Sequence, residues 1–248
     1  MSDFIEGRNA VIEALRSGVP VTRVLVAEGV RDADSVREIE KLASSRGVTV
    51  ERVSRSWLDT RSDRGAHQGV MAGVKPFVYS QLAQVVRRVG DKRSSLIIAL
   101  DQVTDPGNLG AIVRTAEVAG ADAVLLTKRR SAAIGIAAHK TAAGALSWMP
   151  VVQETNLTRA LEELKAAGYW IAGADGAAEM IAWDAPLEGR VVLVLGSEGE
   201  GLSRLVRERC DLLVRLPVAG HVDSLNVAQA ASVLAFEWVR RQHPDART

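Results

Sequence analysis

Residues 191–202 form an apolar run that ends in a glycine-rich loop, with the sequence Val-Val-Leu-Val-Leu-Gly-Ser-Glu-Gly-Glu-Gly-Leu. Two further loops of similar design follow apolar runs, at 105–110 (Asp-Pro-Gly-Asn-Leu-Gly) and at 216–226 (Leu-Pro-Val-Ala-Gly-His-Val-Asp-Ser-Leu-Asn). Each run is typical of a buried strand, and each loop precedes a stretch with helical spacing. Repeated strand–loop–helix units place such loops at the carboxyl ends of strands in an open α/β sheet, where ligands usually bind. The pattern therefore predicts a binding site built by three loops.

The same alternation predicts two α/β modules. In the first we expect helices over 6–17 and 32–45, and strands over 21–26, 48–53 and 70–74. A helix or linker is expected over 77–93. In the second we expect strands over 96–100, 123–126, 151–152, 170–173, 191–195 and 212–216, and helices over 109–119, 131–145, 157–167, 203–209 and 225–241. Strands alternating with helices predict a parallel sheet with helices on both faces.

Composition limits the class of protein. The chain has 248 residues, of which 47% are hydrophobic, so it can build a substantial core. No apolar run approaches the roughly 20 residues needed to span a membrane. The acidic start of the chain lacks a secretory pattern, and the lone Cys210 excludes an intrachain disulfide, so we expect a cytoplasmic location. We also expect Cys210 to be unreactive, because no histidine is near it in sequence.

Basic residues are unevenly placed, although the net charge is only +1. Residues 123–153 contain no Asp or Glu but carry Lys128, Arg129, Arg130, His139 and Lys140. Residues 46–75 are also rich in basic side chains, namely Arg46, Arg52, Arg55, Arg61, Arg64 and Lys75. Either stretch alone is explained as well by ordinary solvated surface as by a polyanionic partner. Together they favour a polyanionic partner.

Residue spacing argues against two common kinds of site. Gly196, Gly199 and Gly201 give G-x-x-G-x-G rather than the dinucleotide fingerprint, and Glu198 and Glu200 would repel a pyrophosphate. The four histidines and the single cysteine lack ligand spacing, so no metal site is expected. A cationic or zwitterionic ligand that carries an adenosine but no phosphate would suit this loop.

Three motifs, in this order, resemble those of the SpoU (TrmH) family. They are Asp105-Pro-Gly-Asn-Leu-Gly-Ala-Ile-Val-Arg114, Leu195-Gly-Ser-Glu-Gly-Glu-Gly-Leu202, and Leu216-Pro-Val followed by Asp223-Ser-Leu-Asn-Val227. The resemblance extends over residues 96–238. Residues 4–11, Phe-Ile-Glu-Gly-Arg-Asn-Ala-Val, resemble the start of the L30e-like domain in the branch that methylates a guanosine of 23S rRNA. One departure is Ala228, where many relatives have Ser, and it concerns a minor substrate contact.

The resemblance implies an activity and a fold. Members of the family use S-adenosyl-L-methionine to methylate the 2′-oxygen of a ribose in RNA, and they work as homodimers. The implied α/β fold has an L30e-like RNA-binding domain over 1–76, a linker over 77–93, and a SPOUT domain over 94–248 with a deep trefoil knot. Knots are rare, so hydrophobic periodicity alone does not suggest one. A tRNA ribose methyltransferase and a catalytically silent RNA-binding or ribosome-assembly protein remain alternatives to the rRNA enzyme.

The resemblance and the basic stretches also indicate site residues. The implied catalytic residues are Asn108, Arg114, Glu198, Ser224 and Asn226. The implied cofactor-binding residues are Thr127, Leu195, Gly196, Gly201, Leu216, Val218 and Leu225. The expected RNA-binding residues are Arg8, Arg52, Arg55, Arg61, Arg64, Lys128, Arg129 and Lys140.

Simpler interpretations of the catalytic candidates stand beside these. Asn108 fits a turn residue or helix N-cap, Ser224 fits the N-cap of the last helix, and Glu198 fits a surface charge. Arg114, in an otherwise apolar helix, could simply extend to water. If Arg114 is catalytic, we expect it to remain cationic and stabilise the developing alkoxide, because a guanidinium does not lose its proton near neutral pH.

Overall fold

The computed structural model describes residues 4–30, 34–62 and 65–242. The first of its two sheets is formed by residues near the N-terminus. The strands of this sheet are β1 Phe4–Glu6, β2 Val21–Ala27, β3 Thr49–Val53 and β4 Val70–Val74. Their order is β1-β4-β2-β3, with β2 and β3 parallel and the other pairs antiparallel. The accompanying helices are α1 Arg8–Arg16, α2 Asp34–Ser45 and α3 Arg55–Asp59. Val11 and Ile39 of the helices share one buried cluster with Val24 and Val70 of the strands.

Two details of this sheet differ from the sequence prediction. The helix expected from residue 6 begins at Arg8, because Ile5 and Glu6 pair with β4 as strand β1. Gly7, at φ +95°, then separates strand from helix. The short helix α3 is not predicted from periodicity; Ser54 caps it by accepting a hydrogen bond from the Trp57 backbone N–H at 3.3 Å.

The second sheet has seven strands, and every pairing within it is parallel. The strands are β5 Ser95–Leu100, β6 Ala123–Thr127, β7 Val151–Glu154, β8 Trp170–Ala174, β9 Met180–Ile181, β10 Arg190–Leu195 and β11 Leu212–Arg215. Their order is β7-β6-β5-β10-β8-β11-β9. The carboxyl ends of β6, β5 and β10 are therefore neighbours, although 90 residues of chain separate the loops after β5 and β10.

Helices cover both faces of this sheet. They are α4 Leu82–Val89, α5 Pro106–Val118, α6 Ile136–Ala142, α7 Leu157–Ala166, α8 Arg204–Arg207 and α9 Val227–Gln242, with a 3-10 turn at Ala145–Ser147. Alternate residues of β5 enter different clusters: Leu96 packs with α5 and α9, while Ile97 packs with α4 and α7. The predicted parallel sheet with helices on both faces is thus confirmed. No described helix is long and apolar enough to cross a membrane.

The helix predicted over 131–145 is the largest error in the element assignment. Only Ile136–Ala142 is α-helical. Gly135 is extended before it, and Ala143 and Gly144 are left-handed after it, so the chain turns twice within the predicted helix. The small apolar residues of this stretch fit helical spacing, but they do not reveal where the backbone leaves the helix.

Side chains cross-link the amino edge of the parallel sheet. Asp122, before β6, is buried and accepts hydrogen bonds from Ser95 Oγ at 2.7 Å and Lys92 Nζ at 2.8 Å. Arg190, which opens β10, donates to the carbonyl oxygens of three residues from neighbouring segments: Gly90, Lys92 and Ala167. These contacts fix the starts of β5, β6 and β10 relative to one another.

Candidate active site at the carboxyl edge of the parallel sheet

The loop after β5 places Asn108 in the first turn of α5. Asp105 caps this helix, since its Oδ1 accepts from the Asn108 backbone N–H at 2.7 Å, and Pro106 follows in the first turn. The interpretation of Asn108 as the cap is therefore wrong, and its side-chain amide is free for other contacts. Gly110 lets α6 approach closely, because a Cβ there would lie 2.1 Å from Thr141 Oγ1.

The loop after β10 is a tight backbone turn. Ser197 and Gly201 exchange backbone hydrogen bonds of 3.1 and 3.0 Å. A Cβ on Gly196 would lie 2.1 Å from the carbonyl carbon of Gly201, so Gly196 has no room for a side chain. Asp101 is missing from the predicted site residues, yet its buried carboxylate accepts from the Ser203 N–H at 2.7 Å and joins this loop to β5. A carboxylate directly after a fully apolar strand is the sequence signal for such a residue.

The loop after β11 ends in a cap made by Asn226. Asn226 Oδ1 accepts from the Ala228 N–H at 2.9 Å, and its carbonyl oxygen accepts from the Ala230 N–H at 2.9 Å. The simpler interpretation gave this role to Ser224 and is wrong. Ser224 is exposed, and it makes no hydrogen bond to any residue that the structure describes. The predicted helix start at 225 moves to Val227 for the same reason.

Three of the predicted catalytic residues meet, one from each loop. Asn108 Nδ2 donates to Glu198 Oε1 at 3.0 Å. Asn226 Nδ2 lies 2.6 Å from the same oxygen and 3.0 Å from Asn108 Oδ1. The carboxylate therefore orients both amides, and hydrogen bonds to a charged acceptor are the stronger kind. We call this arrangement of Asn108, Glu198 and Asn226 the polar triangle.

Arg114 lies outside the polar triangle. It follows Asn108 by six residues on α5, which corresponds to about 9 Å along the axis and a different face. Its neighbours Ile112 and Val113 are buried, whereas Arg114 is exposed and has no ion pair or hydrogen bond within the described residues. Arg114 is thus an exposed cation that is not committed to a structural contact, and the structure does not bring it to the polar triangle.

The predicted cofactor residues all lie at this carboxyl edge. Thr127 ends β6, Leu195 ends β10, Gly196 and Gly201 lie in the following loop, and Leu216, Val218 and Leu225 belong to the loop after β11. In the strand order, Thr127 on β6 is separated from β10 by β5, and the loop after β11 is separated from β10 by β8.

The loop over 217–225 has properties that suit an adenosine. None of its backbone groups makes a hydrogen bond within the described part of the chain. Val218, Val222 and Leu225 are 50%, 75% and 49% exposed, so apolar side chains stand beside free amide and carbonyl groups. A purine base is bound by apolar contacts with its two faces and by hydrogen bonds from backbone groups to its edge. The residues present therefore fit S-adenosylmethionine, whose cationic sulfonium is also compatible with Glu198 nearby.

The N-terminal arginines that are expected to bind RNA differ in the groups they contact. Arg52 pairs with Glu40 at 2.6 Å, and Arg8 donates to the Gln68 carbonyl at 3.3 Å. Arg61 lies 3.8 Å above the ring of Trp57, as in a cation–π contact. Arg55 is exposed, and Arg64 lies outside the described residues. Arg46, which contributes to the same basic stretch, instead donates to three carbonyl oxygens at and beyond the end of α1: Ala14, Leu15 and Val19.

The second basic stretch divides in a similar way. Lys128 and Arg129 are exposed and unpaired within the described residues. Lys140 of α6 forms a 2.7 Å ion pair with Glu13 of α1, so this pair links a helix of the second sheet to a helix of the first.

Burial lowers the pKa of His139. Burial raises the pKa of the Cys210 thiol to about 12, so it stays protonated and unreactive near neutral pH. No cluster of three His, Cys, Asp or Glu suited to a metal occurs among the described residues.

Comparisons with known proteins identify the family of this chain. Residues 95–236 match the SpoU rRNA Methylase family, and residues 4–80 match the family described as RNA 2′-O ribose methyltransferase substrate binding. A protein of Staphylococcus haemolyticus, assigned to the TrmH family of tRNA/rRNA methyltransferases, is 38% identical over 240 residues, which is 96% of each chain.

Solved structures of methyltransferases are also similar to this chain. The SpoU methyltransferase AviRb from Streptomyces viridochromogenes, in complex with the cofactor AdoMet, has a TM-score of 0.64 at 25% identity, over 96% of this chain and 89% of that one. The AdoMet-bound rRNA methyltransferase from Sinorhizobium meliloti has a TM-score of 0.60 at 28% identity, over 96% and 86%. The chain therefore belongs to the SpoU (TrmH) family of S-adenosylmethionine-dependent RNA methyltransferases, with an N-terminal substrate-binding domain and a C-terminal methylase domain.

Proposed function

We propose that this protein methylates the 2′-oxygen of a ribose in RNA, and that the ribose belongs to a guanosine of 23S rRNA. The observation that carries the proposal is the polar triangle, which joins Asn108, Glu198 and Asn226 from three loops at 2.6–3.0 Å. A purely RNA-binding protein has no use for this arrangement at the edge of a cofactor loop. The catalytically silent alternative is therefore disfavoured.

The cofactor would be held by the backbone of 217–225 and by the turn between Gly196 and Gly201, with Leu216, Val218 and Leu225 as apolar contacts. Leu195 and Thr127 complete the proposed set. When bound, S-adenosylmethionine supplies an electrophilic methyl group on a sulfonium. The polar triangle then holds two amides in fixed orientation, which reduces the entropy cost of placing the ribose. Ser224, exposed beside Asn226, is proposed as a further contact to substrate.

Arg114 is proposed to act as a permanent cation. A guanidinium is not deprotonated near neutral pH, so it is a poor proton acceptor. It can instead contact a phosphate and stabilise negative charge that develops on the 2′-oxygen. DNA lacks the 2′-hydroxyl, so this chemistry is specific to RNA.

The choice of rRNA over tRNA rests on the N-terminal domain. Residues 4–80 match a substrate-binding family, and the similar S. meliloti structure is named as an rRNA methyltransferase. The RNA surface of this domain is proposed to include Arg8, Arg52, Arg55, Arg61 and Arg64. Domain limits of 1–76 and 94–248, with a linker over 77–93, also remain predictions.

A homodimer and a cytoplasmic location complete the proposal. Val118 of α5 and Val233 and Phe236 of α9 are 63%, 36% and 48% exposed, and such apolar side chains on two packed helices suit a subunit contact. The unreactive Cys210 is compatible with a reducing compartment.

The test is methyl transfer from labelled S-adenosylmethionine to deproteinised 23S rRNA and, separately, to bulk tRNA. We expect label in 23S rRNA, recovered after alkaline hydrolysis as a dinucleotide, because a 2′-O-methyl group blocks cleavage at that position. Label in tRNA alone would favour the tRNA alternative. Label recovered in mononucleotides would show base methylation, and RNA binding without any label would support the silent alternative.

A further inference from the structure

Three consecutive cations lie in the turn that follows β6. Lys128, Arg129 and Arg130 are all exposed, and within the described residues none has an ion pair or a side-chain hydrogen bond. Other exposed arginines, such as Arg52 and Arg204, are paired with carboxylates. We call residues 128–130 the cationic turn. Its charges are therefore not used to stabilise the fold.

The backbone of the cationic turn is held firmly. Thr127 Oγ1 donates to the Arg129 carbonyl oxygen at 2.7 Å and lies 2.7 Å from Ser131 Oγ. Two residues after the turn, the Ala132 N–H donates to the Val103 carbonyl oxygen at 2.8 Å. Val103 belongs to the loop that leads into Asn108. The turn is thus fastened to the same loop that supplies one corner of the polar triangle.

Arg130 has an unfavourable backbone conformation, with φ +55°. A residue with a Cβ is disfavoured there, and Gly or Asn would be tolerated more easily. Gln102, in the loop to which the turn is bonded, is also left-handed at φ +60°. Strained residues of this kind concentrate at functional sites. A large cation in a position that suits glycine therefore needs a reason other than folding.

We propose that Lys128, Arg129 and Arg130 bind the RNA phosphates on either side of the target ribose. This inference rests on the proposed function, because it takes the polar triangle as the place where the ribose reacts. Adjacent strands lie about 4.8 Å apart, and β6 is the neighbour of β5, so the cationic turn is one strand away from the Asn108 loop. S-adenosylmethionine is a poor occupant, since its sulfonium is itself positive. A strand of RNA supplies the required closely spaced anions.

The first experiment compares two double variants. Lys128→Gln/Arg129→Gln removes two charges from the turn. Arg87→Gln/Arg93→Gln removes two exposed charges, unpaired within the described residues, from α4 and from the segment before β5, at the opposite edge of the sheet. Binding to deproteinised 23S rRNA is measured against salt concentration, and S-adenosylmethionine affinity is measured separately.

For the turn variant we expect the salt slope to fall by about 0.7 per lost contact, and RNA affinity near 0.15 M salt to fall about tenfold. KM for RNA should rise with little change in kcat or in cofactor affinity. The control variant should retain the wild-type slope. Equal slopes for the turn variant and wild type would overturn the inference. Because RNA binding is measured without turnover, this result is separate from whether the wild type makes 2′-O-methyl groups.

The second experiment uses the strained backbone. Arg130→Gly should raise the thermal midpoint, because it relieves the left-handed strain, and should weaken RNA binding about fourfold through one lost phosphate contact. Ala143→Gly is the matched control, since Ala143 is also left-handed at φ +48° and carries no charge. It should raise the midpoint without changing RNA affinity. Retained RNA affinity in Arg130→Gly would contradict the inference.

Discussion

Asn226 Nδ2 lies 2.6 Å from Glu198 Oε1, and this contact ties the loop after β11 to the loop after β10. The same carboxylate oxygen accepts from Asn108, so one atom holds three segments of the chain together. Glu198 can matter in two ways: its oxygen can position the amides, or its negative charge can take part in proton transfer.

Glu198→Gln and Glu198→Ala separate these roles. Gln keeps an acceptor oxygen at the same place without the charge, whereas Ala removes both. If Glu198 positions the amides, Gln should retain the single-turnover rate within about tenfold, while Ala should lower it by about 10²-fold through misplaced groups. Single-turnover methyl transfer to 23S rRNA measures both. A Gln variant as inactive as the Ala variant would show that the charge itself is required.

Arg114→Ala should reduce the single-turnover rate by about 10²–10³-fold, because the cation that we propose to stabilise the developing oxyanion is lost. Cofactor affinity, measured by calorimetry, should hardly change, since Arg114 lies outside the cofactor loops. Arg114→Lys should recover only a small part of the rate, as a point charge does not reproduce the planar guanidinium. Full activity in Arg114→Lys would exclude a role that depends on that geometry.

Gly196→Ala should weaken S-adenosylmethionine binding by at least about tenfold. The added Cβ would overlap the backbone of Gly201, so the turn has to open. Gly176→Ala is the control, because nothing lies within 4 Å of a Cβ there. Calorimetry on both variants, with circular dichroism to check folding, makes the comparison. Wild-type cofactor affinity in a folded Gly196→Ala protein would remove this turn from the binding site.

Glu237→Gln should destabilise the protein in a pH-dependent manner. Hydrogen bonds from Arg240, opposed by burial and supplemented by Arg241, lower the pKa of Glu237 below its ordinary value of 4.5. A lowered pKa gives stability that is present above pH 4.5 and is lost as pH falls through the folded-state value. We expect a loss of about 1–2 kcal/mol near pH 7, because the carboxylate is buried but its partners are partly exposed.

Urea unfolding at several pH values measures this effect, and the difference from wild type should shrink on acidification. Glu163→Gln, which breaks an exposed pair with Arg159, should cost no more than about 0.5 kcal/mol. A constant difference for Glu237→Gln across the acid range would show that packing, rather than charge, explains its effect.

Local sequence patterns predict most of the parallel sheet. The strand expected over 96–100 is Ser95–Leu100, and the strand expected over 191–195 is Arg190–Leu195. Patterns also place the three loops at one edge, since carboxyl ends of parallel strands share an edge. Sequence patterns do not reveal that β10 lies beside β5 in the sheet. This pairing of the two strands brings Glu198 close to Asn108.

Side-chain roles are harder to predict because they depend on distant backbone groups. Whether Ser224 or Asn226 caps α9 cannot be read from composition, as both residue types cap helices well. Arg46 belongs to a basic stretch by sequence, but its side chain donates a hydrogen bond to a carbonyl oxygen near the end of α1. The family resemblance supplies Arg114 as a candidate, and its knot and dimer remain predictions, because neither periodicity nor charge patterning encodes them.

The cross-linked amino edge of the sheet has a consequence for amide hydrogen exchange. The bonds of Asp122 and Arg190 leave the starts of β5, β6 and β10 no easy local opening, so amides there should exchange only through global unfolding. At the other edge, the amides over 217–225 have no backbone acceptor within the described residues and should exchange within seconds. The starts of β5, β6 and β10 are thus anchored, whereas the loop after β11 can adapt to what it binds without loosening those three strands.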